Sequence, residues 1–406
     1  MKSRLPLPVV VLSALALSAR ARAAALPSIN DLAGGFFGGD AAIESTSVPP
    51  VRARKPRPAP SPSQPSRGGG SLPSFIFTGR GADVSEDVAA AIDSAQSSVH
   101  AALYTLTLPN VADALVRARG RGLDVRVIYD YGHSQSGKDA GGSQPMAEAA
   151  SAEKIGQLVS GGVDVRVLRG TGAYGIMHNK FAVIDGGRLE TGSFNWTTAA
   201  DTKNHENALF REDAGLAADY AAYFDWMWAQ AGPVGETPGK PSGQPPSCAD
   251  GPTALGRAWP QCSFSPNGPT EQLLAEAISR AQSRVHIAMF SFTSPAIISA
   301  LADAKNRGVD VLMVLDRSQS RTESATLTKL RSAGVPFRID AGLGGSGGVL
   351  HDKFGVFDDL LETGSFNYTT NASKNNFENA YFTADPSFVD GYEAEFQKIY
   401  AEGADQ

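Results

Sequence analysis

The sequence predicts an α/β protein made of two homologous α/β/α sandwich modules with mixed β-sheets, packed against each other as a pseudo-dimer. Two repeated blocks predict this. The segment "AIDSAQSSVHAALYTLT" before Leu108 matches "AISRAQSRVHIAMFSFT" before Ser294, and "ALVRARGRGLDVRVIYD" ending at Asp130 matches "ALADAKNRGVDVLMVLD" ending at Asp316. Each copy reads as an amphipathic helix, a β-rich strand, a second helix closed at Gly122 or Gly308, and a second strand. Strand-helix-strand order implies a parallel pair inside a layered α/β fold. A further repeat begins at His178, "HNKFAVIDGGRLETGSFNW", and at His351, "HDKFGVFDDLLETGSFNY". The offset between copies is 186 residues at Asp130/Asp316 but 173 at the histidines, so module 1 carries 13 extra residues. They fall in the polar stretch "YGHSQSGKDAGGSQPMAEAASAEK" around His133, placed to shape the entrance to a site.

Taken in order, residues 1–23 read as an export signal: Lys2 and Arg4, then an apolar run, then small-residue cleavage patterns at Ala21-Arg22-Ala23 or Ala23-Ala24-Ala25. The run is shorter than the roughly 20 residues that span a bilayer. The expected location is periplasmic or secreted. Residues 24–73 form a Pro/Ser/Arg-rich tether that cannot bury a core, and its "RARKPR" is suited to peripheral contact with an anionic membrane surface. Module 1 spans 74–231. A Pro/Gly-rich hinge follows over 232–262, then module 2 over 263–406. The chain's two cysteines, Cys248 and Cys262, lie in the hinge, and an oxidising compartment favours a disulfide between them. Closing so short a loop is worth about 3 kcal/mol. Two free thiols or half a metal site is the weaker alternative, since no further cysteine and no suitably placed histidine lies nearby.

Composition restricts the partner. The 406 residues are 42% hydrophobic and 19% charged, the balance of a globular chain. Residues 1–72 hold nine basic and three acidic side chains, so with the whole chain at −6 the remainder carries −12. So acidic a body is a poor general binder of nucleic acid, although a local basic cleft could still take it as substrate.

His-x-Lys on a strand puts an imidazole and an ammonium on one face, giving His178 with Lys180 and His351 with Lys353. Downstream, Ser193 with Asn195 and Ser365 with Asn367 supply hydroxyl and amide donors after a glycine turn. Imidazole, ammonium and neutral donors together describe a phosphate site. If the modules pack face to face, one histidine can attack phosphorus while the other protonates the leaving oxygen, and water then releases the phosphohistidine. The lysines and both Asn stabilise the added negative charge, so neither a metal nor another cofactor is called for. Glu206 in "NHENALF" and Glu378 in "NFENAYF" each follow the Ser by 13 residues and suit the carboxylate that orients an imidazole. Asp185 and Asp358, seven residues past each histidine, fall on the opposite strand face, which favours a structural role. His100, His286 and His205 read as packed or surface residues, and Trp196 and Tyr368 as core aromatics.

The doubled His-x-Lys-x4-Asp followed by Gly-Ser-x-Asn resembles the phospholipase D superfamily. "ETGSFNWTTAADTKNHENA" and "ETGSFNYTTNASKNNFENA" are similar to its short bacterial endonuclease and cardiolipin-hydrolase-like members. The resemblance covers both modules but neither tether nor hinge. It implies a metal-independent phosphohistidine mechanism and one site at the interface of two modules. It also implies that a fused chain such as this one acts as a monomer, with His178 the nucleophile and His351 the acid. The leading expectation is hydrolysis of a phospholipid diester to phosphatidic acid and an alcohol. A sequence-nonspecific nuclease is the alternative; a transphosphatidylase and a non-catalytic phosphate-binding protein rank below it.

Overall fold

The structure is a computed structural model that describes residues 72–79, 83–135, 145–344 and 347–405, all within one compact unit. The export signal over 1–23, nearly all of the tether, and residues 136–144 of the polar insertion lie outside the described residues.

Module 1 contains the strands β1 (Phe75–Phe77), β2 (Ser98–Leu103), β3 (Asp124–Asp130), β4 (Asp164–Leu168), β5 (Lys180–Ile184), β6 (Arg188–Gly192), β7 (Asn207–Glu212) and β8 (Gly232–Pro233). They form one sheet in the order β1-β7-β6-β5-β2-β3-β4-β8, with β2, β3 and β4 parallel and the rest antiparallel. Between the modules, β9 (Asp250–Ala254) and β10 (Arg257–Pro260) make a hairpin. Module 2 follows with β11 (Cys262–Ser265), β12 (Arg284–Met289), β13 (Asp310–Asp316), β14 (Phe337–Asp340), β15 (Lys353–Phe357), β16 (Leu360–Gly364), β17 (Glu378–Thr383) and β18 (Ala404–Asp405). Their order, β11-β17-β16-β15-β12-β13-β14-β18, repeats the first sheet strand for strand.

Alternation along the strands decides what each face meets. In β2, Val99, Ala101 and Leu103 face helices Val84–Asp93 and Pro109–Gly120, whose Val88, Ile92, Val111 and Leu115 are buried in the same cluster. The other face, with Ala102, Ile128 and Phe181, meets helix Ala214–Trp228 through Tyr220, Tyr223 and Phe224. Each module is therefore a three-layer sandwich. Burying a side chain of this size contributes about 1.5–3 kcal/mol, and one apolar cluster joins residues of both modules, Met177, Phe181 and Tyr220 with Leu350, Phe354 and Tyr392.

One expectation needs correction. The segment 232–262 is not a bare hinge: Gly232–Pro233 completes the first sheet and Cys262 opens the second. Between them the hairpin buries Trp259, whose indole N–H donates to the Ala254 carbonyl. Cys248 and Cys262 are disulfide-bonded with Cα atoms 5.4 Å apart. Trp259 is the signal that the Pro/Gly composition masked.

Candidate active site

Strand register brings the two histidine motifs together. β5 begins at Lys180 opposite Leu103, and β15 begins at Lys353 opposite Met289, so both motifs emerge at the same end of their sheets. The residues just before them cross to the other module. His178 N–H donates to the Phe377 carbonyl and His351 N–H to the His205 carbonyl, each at 2.9 Å. Asp130 and Asp316, at the ends of β3 and β13, fix this crossing by accepting from Met177 N–H at 2.9 Å and Leu350 N–H at 3.0 Å.

The glutamates are exchanged between modules. His178 Nδ1 lies 2.8 Å from Glu378 of module 2, and His351 Nδ1 lies 2.8 Å from Glu206 of module 1. Neither His178 nor His351 takes its glutamate from its own module. Because each carboxylate accepts at Nδ1, the Nε2 of each imidazole is left to face a reacting group. Ser193 Oγ–H donates to Glu206 and Ser365 Oγ–H to Glu378, both at 2.7 Å, and Asn204 and Asn376 bind the second carboxylate oxygens at 3.1 and 2.9 Å. This corrects the expected role of both serines. Their hydroxyl protons are committed to the glutamates, and they position those carboxylates instead of contacting phosphate.

The glycine before each serine is required by close approach. A Cβ on Gly192 would lie 2.3 Å from the Asn207 carbonyl oxygen, and one on Gly364 2.4 Å from that of Asn379. Removing the side chain lets Ser193 and Phe194 N–H, or Ser365 N–H, reach those carbonyls.

Further hydrogen bonds beneath the glutamates cross the interface with the same two-fold pattern. Asn379 Nδ2 donates to Asn179 Oδ1 at 2.9 Å, and Asn207 Nδ2 donates to Asp352 Oδ1 at 2.8 Å. Thr191 and Tyr220 hydroxyls meet on Asn379 Oδ1; Thr363 and Tyr392 hydroxyls meet on Asn207 Oδ1. Asp352 stands where module 1 has Asn179, and burial pushes its carboxyl up to about 8, so at neutral pH it is mostly uncharged like the amide it replaces.

Burial and concentrated charge set the titration of the site. Both lysines are buried, and each Nζ donates to the carbonyl of its own histidine. Burial lowers Lys353 to about 8 and holds Lys180 well below its ordinary range. Burial, reinforced by Lys180 and Lys353, keeps His178 far below the usual imidazole range; burial brings His351 down to about 4 despite Glu206. Both imidazoles are thus neutral bases near pH 7. Burial raises Glu378 to about 7, partly offset by Lys180, while His351 and Lys353 outweigh burial and lower Glu206.

The other expected residues divide. Asp185 and Asp358 sit in the strand turns at φ of 53° and 49°, a backbone strain of about 1 kcal/mol. Each offsets it by accepting three backbone N–H groups, Gln96, Ser97 and Ser98 or Gln282, Ser283 and Arg284. They tie the turn to the start of β2 or β12, away from the histidines. Asn367 Oδ1 accepts from Ser291 N–H at 3.3 Å and Asn195 Oδ1 is buried without a partner; among the described residues neither Asn is hydrogen-bonded to a site histidine or lysine. His100 and His286 pair with Asp124 and Glu393 and stack on Phe224 and Phe396. His205 lies 3.5 Å from both Asp340 and Glu402, on a cavity of about 640 Å³ that none of the site histidines or lysines lines.

Three groups escaped the sequence reading. Glu190 and Glu362, the acids of the repeated "ETGSFN", are wholly buried and pushed up to about 8; Glu362 accepts from the Tyr368 hydroxyl at 2.6 Å. Tyr104 and Phe290 lie edge-on to His178 and His351, each with ring centroids 4.7 Å apart. Asn207 and Asn379 follow the glutamates directly, and their recurrence in "ENA" was the available signal.

The comparisons agree with this architecture. The family described as cardiolipin synthase, PLD-like domain, matches residues 88–228 and 274–400. A mitochondrial cardiolipin hydrolase from Xenopus tropicalis is 36% identical over 140 residues, which is 34% of this chain and 59% of the relative. A phospholipase D from Rickettsia bellii is 31% identical over 139 residues, 34% of this chain and 67% of that one. The chain therefore spans about three fifths of the length of the cardiolipin hydrolases it matches. A phosphatidylserine synthase structure from Haemophilus influenzae superimposes with a TM-score of 0.61 over 82% of this chain and 87% of that one, at 14% identity, a likeness of fold. With one family matched over both modules, and each module carrying the same His-x-Lys site, the chain belongs to the PLD-like domain family.

Proposed function

We propose that the chain is a phospholipase D-type phosphodiesterase that hydrolyses a phospholipid diester to phosphatidic acid and an alcohol through a phosphohistidine. The observation that carries this is the exchanged pair of His–Glu contacts, which brings both imidazoles and both lysines into one buried cluster. One imidazole attacks phosphorus through its Nε2 lone pair while the other, protonated, gives its Nε2 proton to the oxygen of the departing alcohol. The N–P bond forms as the P–O bond breaks. Water then attacks phosphorus and loses its proton to the second histidine, and the N–P bond breaks to restore the first. Lys180 and Lys353 neutralise the charge on the non-bridging oxygens, with the side-chain amides of Asn195 and Asn367 as further donors. Binding the anionic phosphate offsets the burial that depresses the acid histidine, so substrate itself recruits the proton.

The relatives named cardiolipin hydrolase and phospholipase D support a lipid as substrate. The N-terminal sequence and the cysteine pair support export. The test incubates the purified protein with cardiolipin, phosphatidylglycerol, phosphatidylcholine and single- and double-stranded DNA, all with EDTA. Phosphatidic acid released from a lipid, and lost in His178→Ala and His351→Ala, is the expected result. Cleavage of DNA alone overturns the lipid assignment, and complete loss on chelation overturns the mechanism.

A further inference from the structure

The two walls of the site differ by a hydroxyl but agree in a ring. Tyr104 follows β2 and Phe290 follows β12. The backbone N–H of each donates to the middle residue of the neighbouring His-x-Lys, Tyr104 to the Asn179 carbonyl at 2.9 Å and Phe290 to the Asp352 carbonyl at 3.0 Å. That register sets each ring beside both functional side chains of one motif. Tyr104 lies 4.7 Å from His178 between centroids, and Lys180 Nζ lies 5.0 Å from the Tyr104 centroid. Phe290 repeats both contacts, at 4.7 Å to His351 and 5.1 Å to Lys353 Nζ.

The lysines need such a neighbour. Each is buried, and each donates to its own histidine's carbonyl, which uses one of an ammonium's N–H bonds. Glu206 and Glu378 are engaged elsewhere, both oxygens of each accepting from histidine, serine or asparagine. Among the described residues neither lysine forms an ion pair, since the two glutamates pair with the histidines instead. An ammonium taken out of water sheds its proton unless something replaces the lost solvation. The face of an aromatic ring carries negative potential, and a desolvated cation within about 6 Å of its centroid gains from it. More distant charges act on both lysines. For Lys353, burial disfavours the charged form, Glu206, Glu378, Asp352 and Asp316 favour it, and Lys180 opposes it; for Lys180, Glu378, Glu206 and Asp130 favour it against burial and Lys353.

Building on the phosphodiesterase reading above, in which both lysines meet the phosphate, we infer that the ring faces of Tyr104 and Phe290 hold the two buried ammonium groups in place and charged. Both aromatics are positioning residues that act through the lysines. Their divergence fits this role: a phenol and a phenyl ring offer a cation the same kind of face, so the hydroxyl is free to vary and the ring is not.

The test titrates Lys353 in the full chain without substrate, by NMR of ¹³Cε-labelled lysine, its resonance assigned by its loss in Lys353→Arg. Phe290→Leu, which keeps an apolar side chain but removes the ring face, should lower the midpoint by about one pH unit, and Phe290→Tyr should leave it in place. Trifluorophenylalanine at position 290 keeps the ring's shape while draining its electron density, so it should also lower the midpoint even if Phe290→Leu fails to fold. A midpoint unmoved by the fluorinated ring overturns the inference, whatever Phe290→Leu does. Turnover of bis(p-nitrophenyl) phosphate should follow the titration: the fluorinated protein loses kcat/KM relative to wild type at about pH 8 and matches it within about twofold at about pH 6. An equal loss at both pH values assigns the ring a merely structural part and overturns the inference. A wild type inert toward this diester and toward the lipids and DNA above overturns the functional reading instead, and the substrate-free titration still decides what the rings do.

Discussion

His178 and His351 stand in matching surroundings beneath the pocket and in different ones above it. Below, each imidazole binds a glutamate from the other module at 2.8 Å, each glutamate takes a serine hydroxyl at 2.7 Å, and each lysine reaches its own histidine's carbonyl. Above, Tyr104 and His133 face Phe290. The comparison teaches where duplication is free to diverge. The lower layer is shared by both halves, since each histidine–glutamate bond crosses between the modules, and a change in one copy strands a buried partner in the second. The wall residues cross no such boundary and can differ.

Substitutions test that division, starting with the largest effect. His178→Ala and His351→Ala should each abolish turnover, by about 10⁴-fold or more, with unchanged circular dichroism; substantial activity in one would show that the halves are not catalytically joined. Lys180→Met and Lys353→Met should each cost about 10²–10³-fold in kcat, the size expected for a transition-state charge partner. Lys353 also sets a pH limit. It is charged below about 8 and loses that charge as pH rises, so kcat/KM should fall on the alkaline side near pH 8, and Lys353→Arg should move that limb upward. Smaller still are effects on folding. Glu190 and Glu362 have folded-state values of about 8 against an ordinary 4.5, so the folded protein holds their protons where the unfolded chain releases them. Their contribution is complete below about 4.5 and lost as pH rises to about 8, so Tm should drop between about pH 4.5 and 8 and level off above it, and Glu362→Gln should flatten that drop. Asp185→Asn and Asp358→Asn should destabilise each module by about 1–3 kcal/mol, through weakened carboxylate-to-backbone bonds, with kcat unchanged.

Much of this was written in the sequence because the same words occur twice. The duplicated helix-strand blocks gave both sheets, and His-x-Lys gave the four central side chains, since strand alternation alone puts them on one face. Spacing could also hint that Glu206 and Glu378 serve the histidines. It could not say which serves which, because Glu206 is 28 residues from His178 and 145 from His351 and pairs with the distant one. Exchange across an interface leaves no mark on local periodicity. Ser193 and Ser365 were misjudged for a related reason: a hydroxyl beside a phosphate motif looks like a phosphate donor until the carboxylate it serves is seen. The hairpin at Trp259 was hidden by the prolines and glycines around it.

The exchange of glutamates is the centre of the account, and ¹⁵N NMR of the histidine rings tests it most directly. Removing the carboxylate charge changes the Nδ1 environment of its partner alone. Glu378→Gln should shift the His178 ring resonances and leave those of His351 nearly in place, and Glu206→Gln should do the reverse. If Glu378→Gln instead perturbs His351 and spares His178, each module holds its own pair, and the single site shared between the two halves does not exist.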